Sequence, residues 1–310
     1  MNVLLTGATG FVGRRIANVL GNKAGVYLTC VVRQPPGEPL GHEIRTKSLE
    51  PGVDWSDAVT GQEVIIHAAA RAHILRDKSS DPLAEFRKTN VEGTLNLARQ
   101  AAEAGVRRFI FISSIGVNGS VSRKPFTESD TASPSDFYAQ SKWEAEQGLW
   151  SIHKETGLEV VIIRPPLVYG PGAPGNFGTL VKWVQRGIPL PLGAIRNDRT
   201  FVALDNLVDL IITCVEHPAA ANQIFLAGDG EDLSTTELLQ GMAKAMHKTA
   251  RLVPLPAGLL MFGATLLGKK AMAQRLLGSL QVDISKARNL LGWQPPLSVE
   301  DGLKRCFPDQ

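Results

Sequence analysis

The sequence predicts an α/β fold: a doubly wound parallel sheet followed by a smaller, mostly helical lobe. Three observations carry this. Near-continuous apolar runs alternate with helix-length segments through the first half, as parallel strands covered on both faces require. A glycine-rich turn separates the first apolar run from the first helical segment. After Arg164 the chain turns to prolines and glycines (Pro165, Pro166, Gly170, Pro171, Gly172, Pro174, Gly175), then to helical segments with only short strands between them.

In chain order, Asn2–Thr6, Val26–Arg33, Glu63–His67, Arg107–Ser113 and Glu159–Arg164 read as buried strands. Phe11–Leu20, Leu83–Ala104 and Phe137–Thr156 carry helical spacing of apolar residues. The later segments Thr179–Arg186, Asn206–Glu216, Thr235–His247 and Ile284–Leu291 read as helices of the second lobe. The division expected is residues 1–170 for the sheet and 171–310 for the lobe, with the chain crossing back near 200–230. Pro256 to Gly268 is uncharged but shorter than the ~20 residues that span a bilayer. It is expected to be a buried helix, the alternative being an interfacial helix ending at Lys269 and Lys270; stable membrane insertion is not expected.

The 310 residues carry 33 Lys+Arg against 30 Asp+Glu, a surplus too small to point to nucleic acid as a partner. Cys30, Cys214 and Cys306 form no CxxC pair, so no disulfide framework is expected, and a cytoplasmic location is. No metal site is expected.

The turn LLTGATGFVGRRI places Gly7, Gly10 and Gly13 between strand and helix. Glycine allows the tight turn and lets backbone approach a pyrophosphate, which the helix N-terminus then favours electrostatically. A dinucleotide is therefore the expected cofactor. The second strand ends in Val31-Val32-Arg33 with no acid, and Glu38 follows only after Gln34-Pro35-Pro36. An arginine there suits the 2′-phosphate of NADP(H), with Arg14 or Arg15 as helpers, whereas an acid would suit NAD(H). NADP(H) is the expectation and NAD(H) the alternative.

Tyr138 and Lys142, in YAQSK, stand four residues apart on a predicted helix and share one face. Upstream, a buried strand runs into Ser113-Ser114. A free tyrosine has a pKa of ~10, and a nearby ammonium draws it toward the working range. Tyr138 is thus expected to move a proton, Lys142 to tune it, and Ser114 to hold the substrate oxygen.

With these motifs the sequence resembles the extended short-chain dehydrogenase/reductase family, in its nucleotide-sugar epimerase/dehydratase branch. TGATGFVG, His67-Ala68-Ala69, Asn90 in NVEGT, Ser114 in FISSIGVNG, YAQSK and RPPLVYGPG follow in the family's order. The resemblance implies a Rossmann-type fold. It implies that Gly7, Gly10, Phe11, Val12 and Gly13 hold the cofactor, with Ala68, Ala69 and Asn90 close by. It also implies that Pro165 and Val168 lie near the nicotinamide and that Lys142 bonds its ribose. Arg199 in NDRTFVALDNL and Arg275 in QRLLGSL occupy family positions for nucleotide and phosphate contacts, and Asn176 one that touches substrate. Helix pairing across two copies, and so a homodimer, is also implied.

Three departures narrow the reading. Ser48 stands where the family's third strand usually carries an Asp. Pro165-Pro166-Leu167 lacks the Asn of the galactose-epimerase-like pattern, and Ile115-Gly116 replaces the Asp-Glu pair that dehydration needs. The whole-chain pattern, including PPLVYGPG, PLPLG and LGWQPPLS, is similar to bacterial UDP-4-keto-6-deoxy-N-acetylhexosamine reductases of surface-polysaccharide synthesis. That resemblance, with Arg33 favouring NADPH, implies an NADPH-dependent reductase of such a UDP-linked 4-keto sugar. The alternative is a UDP-sugar 4-epimerase, of the UDP-glucose or UDP-N-acetylglucosamine type, with tightly bound NAD. A reading of another class is a non-catalytic NADP(H)-sensing regulator, which would not need Tyr138 or Lys142. Reduction of a small lipophilic ketone would not need Arg199 or Arg275.

Overall fold

A computed structural model of the chain describes residues 1–72 and 79–307. The first strands and helices are β1 (Asn2–Thr6), α1 (Phe11–Leu20), β2 (Tyr27–Val32), β3 (Glu43–Thr46), α2 (Ser56–Val59) and β4 (Val64–His67). Then come α3 (Pro82–Arg87), α4 (Thr94–Glu103), β5 (Arg108–Ile112), α5 (Phe137–Thr156), β6 (Glu159–Arg164) and β7 (Leu167–Tyr169). The rest of the chain forms α6 (Gly175–Gln185), β8 (Arg199–Ala203), α7 (Leu204–Glu216), β9 (Gln223–Leu226) and β10 (Asp232–Leu233). Five helices end it: α8 (Thr235–Ala245), α9 (Ala257–Leu266), α10 (Lys270–Leu277), α11 (Ser285–Leu291) and α12 (Val299–Arg305).

Seven strands form one parallel sheet in the order β3-β2-β1-β4-β5-β6-β9. The winding reverses between β1 and β4, and ligands of such sheets bind in the crevice beyond the strand ends there. The central strands β4 and β5 are buried throughout, which explains why they read as continuous apolar runs. One face is covered by α1, α7 and α11, whose Ile16, Leu207, Ile211 and Ala287 pack with Val3, Leu5 and Ile66. The other is covered by α2, α4 and α5 through Ala58, Leu97, Ala101, Ala145 and Leu149.

The second lobe has its own core. Phe177, Leu180, Leu239, Met242 and Leu303 pack around Phe201 and Tyr169, beside the small sheet β10-β8-β7. The chain crosses back after β8, because α7 and β9 belong to the large sheet. Phe11 touches both cores, so the first turn of α1 lies where the lobes meet.

Three segments differ from the sequence reading. The helix expected over Leu83–Ala104 is broken by a π-helical turn, Lys88–Gly93, that carries Asn90; such insertions often sit at functional sites. The proline-rich stretch expected as a connection contains β7, which forms because β8 offers it a parallel partner. The helix expected to be buried over Pro256 to Gly268 is α9, and none of its residues is buried. An uncharged run supplies the apolar surface, but only packing partners bury it, and the second lobe covers just one flank through Ala257 and Leu260.

Candidate active site

The glycine turn follows directly from β1. Gly7 has φ +74°, and a Cβ there would stand 2.6 Å from the Ala69 nitrogen. A Cβ on Gly13 would stand 2.0 Å from the Gly7 carbonyl oxygen. Both glycines therefore let the turn close against β4 and against itself. Gly10 differs: its N–H donates to Gly7 at 2.9 Å, and the only atom near an added Cβ is the Gly7 oxygen, at 3.2 Å. Gly10 is exposed and caps α1 with no side-chain hydrogen bond, and the first turn carries no acid. The helix thus presents free N–H groups to a shallow backbone cradle. That cradle fits a pyrophosphate, with a dipole to favour it. Phe11 and Val12 are half-buried in the same turn, and Ala68 and Ala69 close it from the end of β4.

Beyond β2, Arg33 is exposed and makes no hydrogen bond or ion pair with another described residue. Arg14 instead pairs with Glu38 from the loop after β2. Glu38, set aside in the sequence because it follows the Gln34-Pro35-Pro36 turn, is thus brought back by the fold to the first turn of α1.

Tyr138 and Lys142 lie on the first turns of α5. The helix starts at Asp136, whose carboxylate accepts from the Ala139 N–H at 2.8 Å, and stops at the left-handed Gly157. Lys142 is buried, and its Nζ donates to the Ile112 carbonyl at 2.8 Å. The same Nζ stands 4.4 Å from the Phe111 ring centroid and 5.9 Å from that of Tyr138. Ser114 follows β5 and caps a short 3₁₀ turn, its Oγ accepting from Gly116 at 3.1 Å. A Cβ on Gly116 would stand 3.1 Å from the Ala139 Cβ. The serine turn therefore rests on α5 one residue from Tyr138, and the three expected side chains gather at the end of β5.

Around them lies a buried polar frame. His67 shares hydrogen bonds with Thr6 at 2.7 Å and Thr94 at 3.0 Å, and burial, aided by the Lys142 charge, pushes it down to about 3. It is a neutral strut. Asn90 binds both backbone groups of Arg71, accepting at 2.8 Å and donating at 3.1 Å, and donates to the Ser141 Oγ at 3.0 Å. Its place here is to join the β4 loop to α5. Glu146 is fully buried, accepting two bonds from Arg164 and one from Ser113. Arg164 also donates to Asn118 at 2.9 Å. Pro165 accepts from Ile115 at 3.0 Å, and Val168 packs on the core from β7.

Burial pushes the Tyr138 hydroxyl above its usual range, with the Asp136 carboxylate adding to the rise. Burial pushes Lys142 down to about 7, and Glu146, one turn along, opposes that fall. Below about 7 the unliganded protein holds the ammonium, and above it the charge is lost. We expect kcat/KM to decline on the alkaline side as Lys142 loses its proton, with Glu146→Gln moving that limb to lower pH. His67, held down to about 3, stays neutral across that range, so the limb does not belong to it. An alkaline limb that stays in place in Glu146→Gln would contradict the coupling.

The second lobe brings its cations to the same place. Arg199 donates to the Arg275 carbonyl at 2.6 Å and to Gly278 at 2.9 Å, and burial lowers its pKa. No carboxylate pairs with it among the described residues. Arg275 reaches Asp136 at 2.6 Å, two residues before Tyr138. Asn176 is exposed in the first turn of α6 and bonds no described residue, and Ser48 lies beyond the end of β3. Asp136, Glu146 and the Arg164 guanidinium were not singled out from the sequence. The four-residue step from Lys142 to Glu146 was the one available signal.

A model of the NAD dependent epimerase/dehydratase family matches residues 3–228. This chain belongs to that family. A UDP-glucose 4-epimerase of Vibrio cholerae is 43% identical over 307 residues, covering 98% of this chain and 94% of its own length. An N-acetyl-α-D-glucosaminyl-diphospho-ditrans,octacis-undecaprenol 4-epimerase of Escherichia coli O157:H7 is 27% identical, covering 99% and 94%. Among solved structures, a UDP-glucuronic acid 4-epimerase from Bacillus cereus in complex with NAD superposes with a TM-score of 0.80 at 21% identity, covering 99% of this chain and 98% of that one.

Proposed function

We propose that the protein is a UDP-sugar 4-epimerase that keeps NAD bound between turnovers. The observation that carries this is the 43% identity, across nearly the whole chain, to a protein named UDP-glucose 4-epimerase. It favours epimerisation over the NADPH-dependent 4-keto reduction expected from Arg33. The Arg14–Glu38 pair supports the same choice, since Glu38 supplies the acid that β2 lacks and occupies an arginine a 2′-phosphate would need.

In this reading the seven-stranded sheet carries the dinucleotide and the second lobe the sugar nucleotide. Gly10 and the α1 N-terminus would hold the pyrophosphate, with Asn90, Pro165 and Val168 around the nicotinamide end and Lys142 on its ribose. When bound, NAD supplies a hydride acceptor beside C4 and gives the hydride back. Tyr138 takes the proton of the C4 hydroxyl and later returns it to the same oxygen. Lys142 supplies the positive charge that its phenolate needs in so buried a place. Ser114 donates to the C4 oxygen while it is a carbonyl. Inversion requires the sugar to present its other face, so contacts must be firm on the diphosphate and few on the hexose. Arg199 and Arg275 suit the diphosphate, and Asn176 reaches the substrate from α6.

A UDP-linked, N-acetylated hexose destined for surface polysaccharide is the substrate class proposed. The relative named for an undecaprenol-linked N-acetylglucosamine supports the N-acetyl group and that setting. Three free, buried cysteines suit a cytoplasmic enzyme, and a homodimer is part of the same reading. The proposal is tested by denaturing the freshly purified protein and identifying the nucleotide released. NAD close to one per chain is expected. NADP, or no nucleotide, would overturn the bound-NAD reading.

A further inference from the structure

Between Glu237 and Asp283 the chain has no acidic residue, and it carries Lys244, Lys248, Arg251, Lys269, Lys270 and Arg275. The rest of the protein holds more acids than bases, so the whole positive surplus resides in this stretch. Its middle, Leu252 to Gly268, contains no charge at all and forms α9 and its approach. Leu259, Phe262 and Leu266, at helical spacing on the outer side, are 62%, 65% and 73% exposed, and Leu267 is 74% exposed. Val253 and Leu255, just before the helix, are exposed as well. Thr265 is the only hydroxyl in α9, and it donates to the Met261 carbonyl at 2.8 Å, so it gives up little on leaving water. Lys269 and Lys270 follow at once, exposed and without an ion-pair partner among the described residues.

An apolar ridge this open is not left to water without a use. A second copy is a poor occupant. A two-fold interface sets a patch against itself, and here it would set the unpaired Lys269 and Lys270 against their like, Lys244 and Arg275 of the same stretch being paired with Glu300 and Asp136. A surface both greasy and negative is complementary. No described helix is long and apolar enough to cross a membrane, so the contact is one of lying on the surface.

We propose that α9 and the Lys269-Lys270 pair dock this protein on an anionic phospholipid bilayer, the apolar ridge entering the headgroup–acyl boundary and the lysines meeting the headgroups. The docking face shares no residue with Ser114, Tyr138 and Lys142 and does not depend on the reaction proposed for them. It places the second lobe, with Arg199 and Arg275, toward the membrane surface.

The test is co-sedimentation of the full-length protein with vesicles of phosphatidylcholine alone and of phosphatidylcholine with 30% phosphatidylglycerol. We expect pelleting with the anionic vesicles, weak pelleting with the neutral ones, and release as salt is raised. Lys269→Gln with Lys270→Gln should weaken anionic-vesicle binding roughly 30-fold. Phe262→Ser with Leu266→Ser should abolish it, while turnover of soluble substrate and the melting temperature stay as in wild type. Absence of wild-type pelleting, or pelleting untouched by both variants, would overturn the proposal. So would a fall in molar mass by light scattering in Phe262→Ser/Leu266→Ser, which would assign the ridge to a second copy of the chain.

Discussion

Tyr138→Phe is expected to lower kcat on the order of 10³-fold and to leave dinucleotide retention unchanged. The substitution removes one hydroxyl and keeps the ring, which meets Phe86 edge-on at 6.2 Å between centroids. The helix start is untouched, because its cap is Asp136. What is lost is the phenolic hydroxyl proposed to take and return a proton at the sugar hydroxyl. Lys142, one turn away, turns its Nζ to the Ile112 carbonyl at the end of β5. Steady-state turnover and the amount of nucleotide released on denaturation should be measured on the same preparation. Turnover within a few-fold of wild type would remove Tyr138 from the mechanism; loss of both activity and nucleotide would mark a folding defect instead.

Arg164→Met is expected to destabilise the protein by about 3–5 kcal/mol, seen as a fall in melting temperature on the order of 10 °C. Glu146 is 0% exposed, and Arg164 supplies two of its three hydrogen bonds. Removing the guanidinium leaves a carboxylate with Ser113 and the more distant Lys142 ammonium as its support. The second half of the prediction separates this from loss of packing. Glu146→Leu added to Arg164→Met should recover part of the stability, because two apolar groups in place of a buried ion pair leave no unpaired charge. It should not recover activity, since Lys142 then loses the carboxylate that helps hold its proton. A melting temperature unchanged in Arg164→Met would contradict the role given to the pair.

Much of this site can be read along the chain, and the reasons are local. A strand, a glycine turn and a helix that adjoin in sequence adjoin in space, so Gly7, Gly10 and Gly13 announce their cradle. Tyr138 and Lys142 share a helix, so their spacing gives their common face. Ser114 stands at the end of a buried strand, where a parallel sheet places its ligands. What could not be read depends on residues far apart. Asn90 sits in a π-helical turn and its amide bonds Arg71, and no periodicity of apolar residues records that contact. Arg275 meets Asp136 across 139 positions, so a cation expected to face a phosphate is found paired with the residue that caps α5. Arg33 carried the NADP expectation from its place at a strand end, but the loop after it returns Glu38 to Arg14. The hydropathy of α9 is plain in the sequence; its exposure is a property of what packs beside it.

The most direct test is to give the purified protein UDP-N-acetylglucosamine, and separately UDP-glucose, with no added cofactor, following the anomeric proton signals by NMR and the absorbance at the reduced-nicotinamide band together. Conversion of one of them to a mixture with its galacto-configured C4 epimer, with no net change in absorbance, is the result predicted. No conversion of either, together with stoichiometric consumption of NADPH when a UDP-4-keto-6-deoxy-N-acetylhexosamine is supplied, would contradict it and return the site to reduction.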